Sequence, residues 1–315
     1  MRKVAACHGK VMIAGEYSVL YQGRALASTV TSLMKASVSH GKTDGITITS
    51  SIWAEPKTVS YSELKNSNEP AFHVIDTLIS QGYLKTFQPI ELEITNENFD
   101  VSYGIGSSAA VRIAILKSLS SLLGLGLSEI DFIKISYLDQ LTLQGKASGY
   151  DIITQTIEGC IESKKINLES LDNPFYKKAD LPLISKFNIY IGGKGAPTAG
   201  LVKETLCFIE KNNLQKEIFN KSESLIGKLL NKDSSQKDVI DSIISFRDLF
   251  KNAPSFPHRI TQALTTVPGY DTSFTWKTTG AGGEDAILLF GEIPNEAEKA
   301  LKATGYKLAP FTFSS

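Results

Sequence analysis

Tyr103-Gly-Ile-Gly-Ser-Ser-Ala-Ala110 runs without a break into a long apolar helical pattern. Two glycines, two hydroxyls and two alanines at a helix start are poorly suited to core packing. They suit a backbone that approaches an anion closely, because glycine turns freely and carries no Cβ. The helix start then offers unpaired N–H groups and the positive end of its dipole. The stretch therefore predicts a phosphate site at the head of a helix. The Walker spacing G-x-x-x-x-G-K-[ST] is absent, and so is the third glycine of a dinucleotide fingerprint. Taken alone, the loop is equally a tight helix start, so its meaning depends on the rest of the chain.

At 315 residues the chain is long for one hydrophobic core and comfortable for two lobes. Thirty-three basic residues balance thirty-three acidic ones, so no net field draws the chain to nucleic acid or to an anionic membrane. Phosphate selectivity has to come from local lysines and backbone dipoles. The first residues lack the apolar stretch of a secretory signal, and no run approaches the roughly 18 apolar residues of a membrane span. A cytoplasmic protein is the expectation. Cys7, Cys160 and Cys207 are odd in number and widely spaced, which predicts no disulfide framework. His8, His40, His73 and His258 show no metal-ligand spacing.

Working outward from the loop, Lys10 to Ala14 reads as a strand ended by Gly15. Leu26 to Ser39, Gly45 to Ile52 and Ile90 to Thr95 also read as strands. Ala71 to Ser80 is a short helix. After the loop, Val111, Ile115, Leu119 and Leu122 form one stripe of a helix that Gly124 and Gly126 stop. Ser128 is an N-cap for the next helix, whose apolar face carries Ile130, Ile133, Tyr137, Leu138 and Leu141. Ile152 to Ile157 begins another buried element. The polar, proline-containing segment from Asn167 to Lys186 predicts a lobe boundary, giving residues 1–175 and 176–315. Beyond it come a strand at Phe187 to Ile191, two or three helices in Leu201 to Phe250, and a glycine turn before the strand Ala286 to Phe290. Strands and helices mixed without βαβ alternation predict an α+β fold.

Four further stretches bear on the loop. Gly9-Lys10-Val-Met-Ile-Ala-Gly-Glu16-Tyr17 sets a lysine and a glutamate at the ends of an apolar strand. Gly145-Lys146-Ala-Ser-Gly149-Tyr150-Asp151 puts an acid just after a flexible turn, where aspartate also serves as a helix cap. Lys194 sits in Gly192-Gly-Lys-Gly-Ala-Pro-Thr-Ala-Gly200, and Thr278-Thr-Gly-Ala-Gly-Gly-Glu-Asp285 precedes a strand. Each alone is compatible with an ordinary turn or a solvated strand end.

In this order the blocks resemble the three motifs of the GHMP small-molecule kinases: a lysine-bearing first strand, a G-x-G-S-S-A-A loop and a late G-A-G-G turn. The resemblance runs from Gly9 to Phe290. It implies a two-lobed fold, with an N-terminal lobe like ribosomal protein S5 domain 2 and a ferredoxin-like C-terminal lobe. Within the family, the phosphomevalonate kinases are the most similar branch. Gly15-Glu16-Tyr17 resembles their G-E-Y, and Gln144-Gly-Lys-Ala-Ser-Gly-Tyr-Asp151 their Q-G-x-x-S-G-[FY]-D. Gly193-Lys-Gly-Ala-Pro-Thr-Ala-Gly-Leu-Val202 resembles their G-K-x-A-S-T-x-x-L-V, and Lys277-Thr-Thr-Gly-Ala-Gly-Gly283 their K-P-S-G-A-G-G.

The resemblance implies ATP and Mg²⁺ as cofactors and phosphomevalonate as acceptor. Mevalonate or another alcohol is the alternative acceptor, and a non-catalytic nucleotide-binding relative is a further reading. It assigns Lys10 and Asp151 to catalysis and Gly104, Ile105, Gly106, Ser107, Ser108 and Ala109 to the nucleotide, with Ser108 also on the metal. The acceptor side would comprise Glu16, Tyr17, Lys146, Ser148, Lys194, Thr198, Gly280, Ala281 and Gly282. Lys146 and Lys194 are the cations that a phosphorylated acceptor would demand. The partner expected is a small molecule, with neither nucleic acid nor membrane, and the chain a monomer or homodimer. Three residues depart from the pattern: His8 stands where proline is usual, Gln140 where mevalonate kinases carry a metal-binding glutamate, and Glu284 where the last turn has glycine.

Overall fold

Val11 to Ala14 and Ala25 to Val30 are buried at every position, as strands covered on both faces are. They belong to β1 (Lys3–Ala14) and β2 (Ala25–His40), the longest antiparallel pair of the fold. The computed structural model describes residues 1–86, 88–171, 174–192 and 198–314. The second half of β2 alternates buried and partly exposed residues, so its sheet is covered there on one face only. Around this pair lie β3 (Ile46–Ser50), β4 (Lys57–Val59), β5 (Ile90–Glu97), β6 (Cys160–Ser163) and β7 (Tyr176–Lys178). The sheet runs β4-β3-β5-β2-β6-β7, with β1 along the other edge of β2. Because β2 is so long, β5 pairs with its far half and β6 with its near half.

Four helices accompany this sheet: α1 (Pro70–Ser80), α2 (Ser107–Leu123), α3 (Glu129–Gln144) and α4 (Tyr150–Ile157). The single apolar stripe expected on α2 is too narrow. Val111 and Leu122 are only half-buried, whereas Ala110, Ile113, Ala114 and Leu116 are buried as fully as Ile115 and Leu119. The cause is position: α2 lies between β1 and β2 on one side and α1, α3 and α4 on the other. The face expected on α3 also shifts. Ile130 is exposed, and Ile135, Ser136, Asp139 and Gln140 are buried instead. Ser128 caps α3 through a reciprocal box with Asp131, as its position predicts.

The chain leaves the first sheet after β7, which begins one residue past the expected lobe boundary. A second sheet of order β11-β8-β10-β9 follows, built from β8 (Phe187–Ile191), β9 (Phe274–Thr278), β10 (Ala286–Gly291) and β11 (Lys307–Leu308). Its helices are α5 (Thr198–Lys211), α6 (Gln215–Leu230), α7 (Gln236–Arg247), α8 (His258–Leu264) and α9 (Asn295–Ala303). One face, with Trp276, Ile287 and Leu289, packs under α8 and α9. The other, with Ile189, Leu288 and Phe290, is continuous with the core of the first sheet. The α+β class is as expected. Among the described residues no helix is long and apolar enough to cross a membrane.

Candidate active site

The glycine loop is fastened to β1 by backbone and side chain together. The Lys10 N–H donates to the Ile105 carbonyl at 2.9 Å, and Lys10 Nζ donates to the Gly104 carbonyl at 3.4 Å. Ile105, 1% exposed, is the loop's anchor in the core. Gly106 ends the loop at φ +82° and starts α2 without a side-chain cap. The first N–H groups of α2, beginning at Ser107, therefore have no acceptor within the helix and are left for another one. Gly106 is required twice over, because a Cβ there would also lie 2.9 Å from Lys10 Cε. Gly106→Ala is expected to cost about 1–2 kcal/mol of stability from its left-handed backbone alone and to push Lys10 aside. A lowered unfolding midpoint together with a disproportionate loss of turnover checks this.

Lys10 is buried between the two ends of the site. Its ammonium lies 5.2 Å from the centre of the Tyr150 ring. Burial opposes its charge, but Tyr150, Asp151 and Asp285 outweigh burial and raise its pKa, so it stays protonated through the neutral range. Burial also pushes the Tyr150 hydroxyl upward. Asp151, the second residue of α4, is half-buried and accepts from Gln140 Nε2 at 3.1 Å. Gln140 Oε1 is buried without a hydrogen-bond partner. Lys10 and Asp151, which the resemblance assigns to catalysis, thus lie within electrostatic reach of each other.

The late glycine turn closes on the same place. A Cβ at Gly104 would lie 3.1 Å from Asp285 Cβ, and one at Gly280 3.4 Å from the Tyr150 hydroxyl. Thr279 Oγ1 bridges the backbone of Met12, accepting from its N–H and donating to its carbonyl at 3.1 and 2.8 Å. The Tyr17 hydroxyl donates to the Ala281 carbonyl at 2.7 Å, and burial pushes its pKa up to about 12. Glu16 and Lys277 form a buried ion pair across the two sheets. Burial outweighs that lysine and raises the pKa of Glu16, whose Oε2 has no partner. Glu16 and Tyr17 line a cavity with Phe250, Ser255, Phe256 and Gly282. Lys277→Met would strand a buried carboxylate and is expected to lower stability by about 3–5 kcal/mol. Denaturant titration measures it, and adding Glu16→Gln should recover much of the loss.

The remaining expectations fare differently. Lys146 is exposed in the connection between α3 and α4, and Ser148 there is half-buried. Lys194 lies outside the described residues, as does the side chain of Thr198 at the start of α5. Glu284 does not burden the turn, because its carboxylate pairs with Arg259 at 2.7 Å. His8 is accommodated by a bulge in β1, where Nδ1 lies 3.0 Å from the Val30 carbonyl.

Sequence reasoning missed the polar core behind the loop. Arg112 Nη1 donates to Ser108 Oγ and its Nε to Asp139 Oδ2. Asp139 also meets His73 Nδ1 and accepts from Thr77 Oγ1 at 3.2 Å. Gln155 was missed as well; it donates to the His8 carbonyl at 2.6 Å and lies against Gly106. An arginine in the middle of an apolar helix run was the available signal, since so buried a charge needs a partner.

Comparison with known proteins bears on the family and the fold. Residues 71–159, which contain the loop and Asp151, match the family described as GHMP kinases N terminal domain. Mevalonate kinase of Pyrococcus furiosus is 29% identical over 98% of this chain and 94% of its own length. Mevalonate kinase of Saccharolobus solfataricus is 28% identical over 72% of this chain and 68% of its own. These matches support the GHMP kinase superfamily for this chain. The GHMP kinase fold extends over its whole length. A solved Streptococcus pneumoniae phosphomevalonate kinase, in complex with phosphomevalonate and AMPPNP, superposes with a TM-score of 0.77 over 99% of both chains at 16% identity. At that identity the likeness is one of fold. The curated relatives named here are mevalonate kinases, which favours the alternative acceptor over the phosphomevalonate expected from motif details.

Proposed function

We propose that the chain is a mevalonate-pathway kinase that transfers the γ-phosphoryl group of ATP to a hydroxyl of mevalonate. The observation that carries the chemistry is Lys10, held on the Gly104 carbonyl of the loop within electrostatic reach of Asp151. Phosphoryl transfer asks for positioning and charge neutralisation more than covalent work. The N–H groups at the start of α2 would hold the nucleotide phosphates. Lys10 would stabilise charge on the transferred group, and Asp151 would orient the acceptor hydroxyl and take its proton.

An alcohol suits the site better than a phosphate monoester. Lys146, expected to neutralise a second phosphate, is exposed, and Lys277 is already neutralised by Glu16. The unpartnered Oε2 of Glu16 would accept a hydrogen bond from an acceptor hydroxyl. The mevalonate kinases among the relatives point the same way. Glu16, Tyr17 and the Gly280-Ala281-Gly282 turn would form the acceptor side, with Ser148, Lys194 and Thr198 as further members.

Asp151 and the buried amide oxygen of Gln140 fit the oxygen preference of Mg²⁺. Among the described residues no group of three acidic, histidine or cysteine side chains could hold a metal, so nucleotide oxygens and water would complete its shell. Bound there, the cation would neutralise phosphate charge. ADP release measured with mevalonate, phosphomevalonate, mevalonate diphosphate, homoserine and simple sugars tests the reading. Release with mevalonate alone is expected. Release with phosphomevalonate alone moves the acceptor, and none with any acceptor favours a non-catalytic nucleotide binder.

A further inference from the structure

Arg112 is the buried charge that this mechanism leaves unused. It stands one turn after Ser108 on α2 and is fully buried. One part of its guanidinium meets Asp139, which is also fully buried and comes from α3. His73 and Thr77, both from α1, hold that carboxylate from its other oxygen. Three helices therefore clamp the guanidinium, and its Nη1 is fixed on Ser108 Oγ. Asp139 alone accounts for Arg112 as a buried pair. The arm on Ser108 is additional, and it reaches the hydroxyl that the resemblance assigns to the metal.

A serine oxygen that accepts from a guanidinium keeps its own proton to donate. Among the described residues Ser108 Oγ donates to no other group. A cation beside that oxygen also makes it a poor place for a second, divalent one. We propose that Arg112 is a positioning residue that makes Ser108 a hydrogen-bond donor to a nucleotide phosphate rather than a ligand of Mg²⁺. The inference rests on the nucleotide reading of the loop. It leaves Asp151 and Gln140 as the protein's oxygens for the metal.

The test is calorimetric binding of ADP to the wild type, Ser108→Ala, Arg112→Lys and the double variant, each with Mg²⁺ and with EDTA. A hydrogen bond to a charged phosphate predicts a loss of roughly 10- to 100-fold for Ser108→Ala, the same in both conditions. Arg112→Lys keeps a charge beside Asp139 but lacks the fork that reaches both partners. It should lose as much as Ser108→Ala, with no further loss in the double variant. A loss confined to the Mg²⁺ condition makes Ser108 a metal ligand and overturns the inference while the nucleotide reading stands. Wild-type-like binding by folded Arg112→Lys overturns it too. If Arg112→Lys does not fold, Ser108→Ala in the two conditions decides alone. Absence of ADP binding by the wild type removes both readings.

Discussion

Asp151→Asn should lower turnover on mevalonate by roughly 10²–10⁴-fold, the range typical of a lost general base, with affinity for metal-free ADP nearly unchanged. The substitution is close to isosteric, and the half-buried side chain can still meet Gln140, so folding should be spared. What disappears is the proton acceptor and one of the two charges nearest Lys10. The size of the loss also reports the acceptor. An alcohol must give up a proton as it attacks, whereas a phosphate monoester, with its second pKa about 6, is already mostly ionised near pH 7. A loss of only a few fold, with folding and affinity for metal-free ADP intact, would take general-base chemistry away from Asp151. Steady-state kinetics with a parallel binding titration reads both quantities.

Lys10→Met should cost roughly 10²–10³ in turnover, the magnitude of one lost electrostatic donor in a preorganised site. Methionine fills the space of the lysine stem but offers nothing to the Gly104 carbonyl or to the transferred group. Lys10→Arg should not rescue activity, because the stem is packed against Gly106, where even one added carbon would lie 2.9 Å from Lys10 Cε. A guanidinium needs more room than the site has. Near-normal turnover of folded Lys10→Met would remove the lysine from the mechanism. Since its pKa is raised, Lys10 should not set the limb of the pH–rate profile near neutrality.

The parts legible in the sequence were those with a local signal. Gly104 and Gly106 both have positive φ, and the loop they flank sits at the head of α2 as predicted. The strand β2, the N-cap at Ser128 and the Gly280 turn were likewise readable from neighbours in the chain. Partners far apart in sequence were not. Nothing within α2 says that Arg112 will find Asp139, 27 residues later, or His73 on α1. The pairing of Glu16 with Lys277, 261 residues apart, depends on the end of β1 and on β9 meeting in the folded chain. The stripe on α2 misled for the same reason, because periodicity reports one buried face and cannot show that a helix is enclosed on several. Lys146 misled in a different way. Its flanking glycines marked a turn, and the turn carries it to the surface.

The acceptor hydroxyl is the central claim, and ³¹P NMR of the reaction mixture tests it most directly. With ATP, Mg²⁺ and mevalonate, the γ-phosphate resonance should decline as those of ADP and a new phosphate monoester appear. With phosphomevalonate in place of mevalonate, the spectrum should stay unchanged. Diphosphate signals growing from phosphomevalonate, with mevalonate left untouched, would contradict the account.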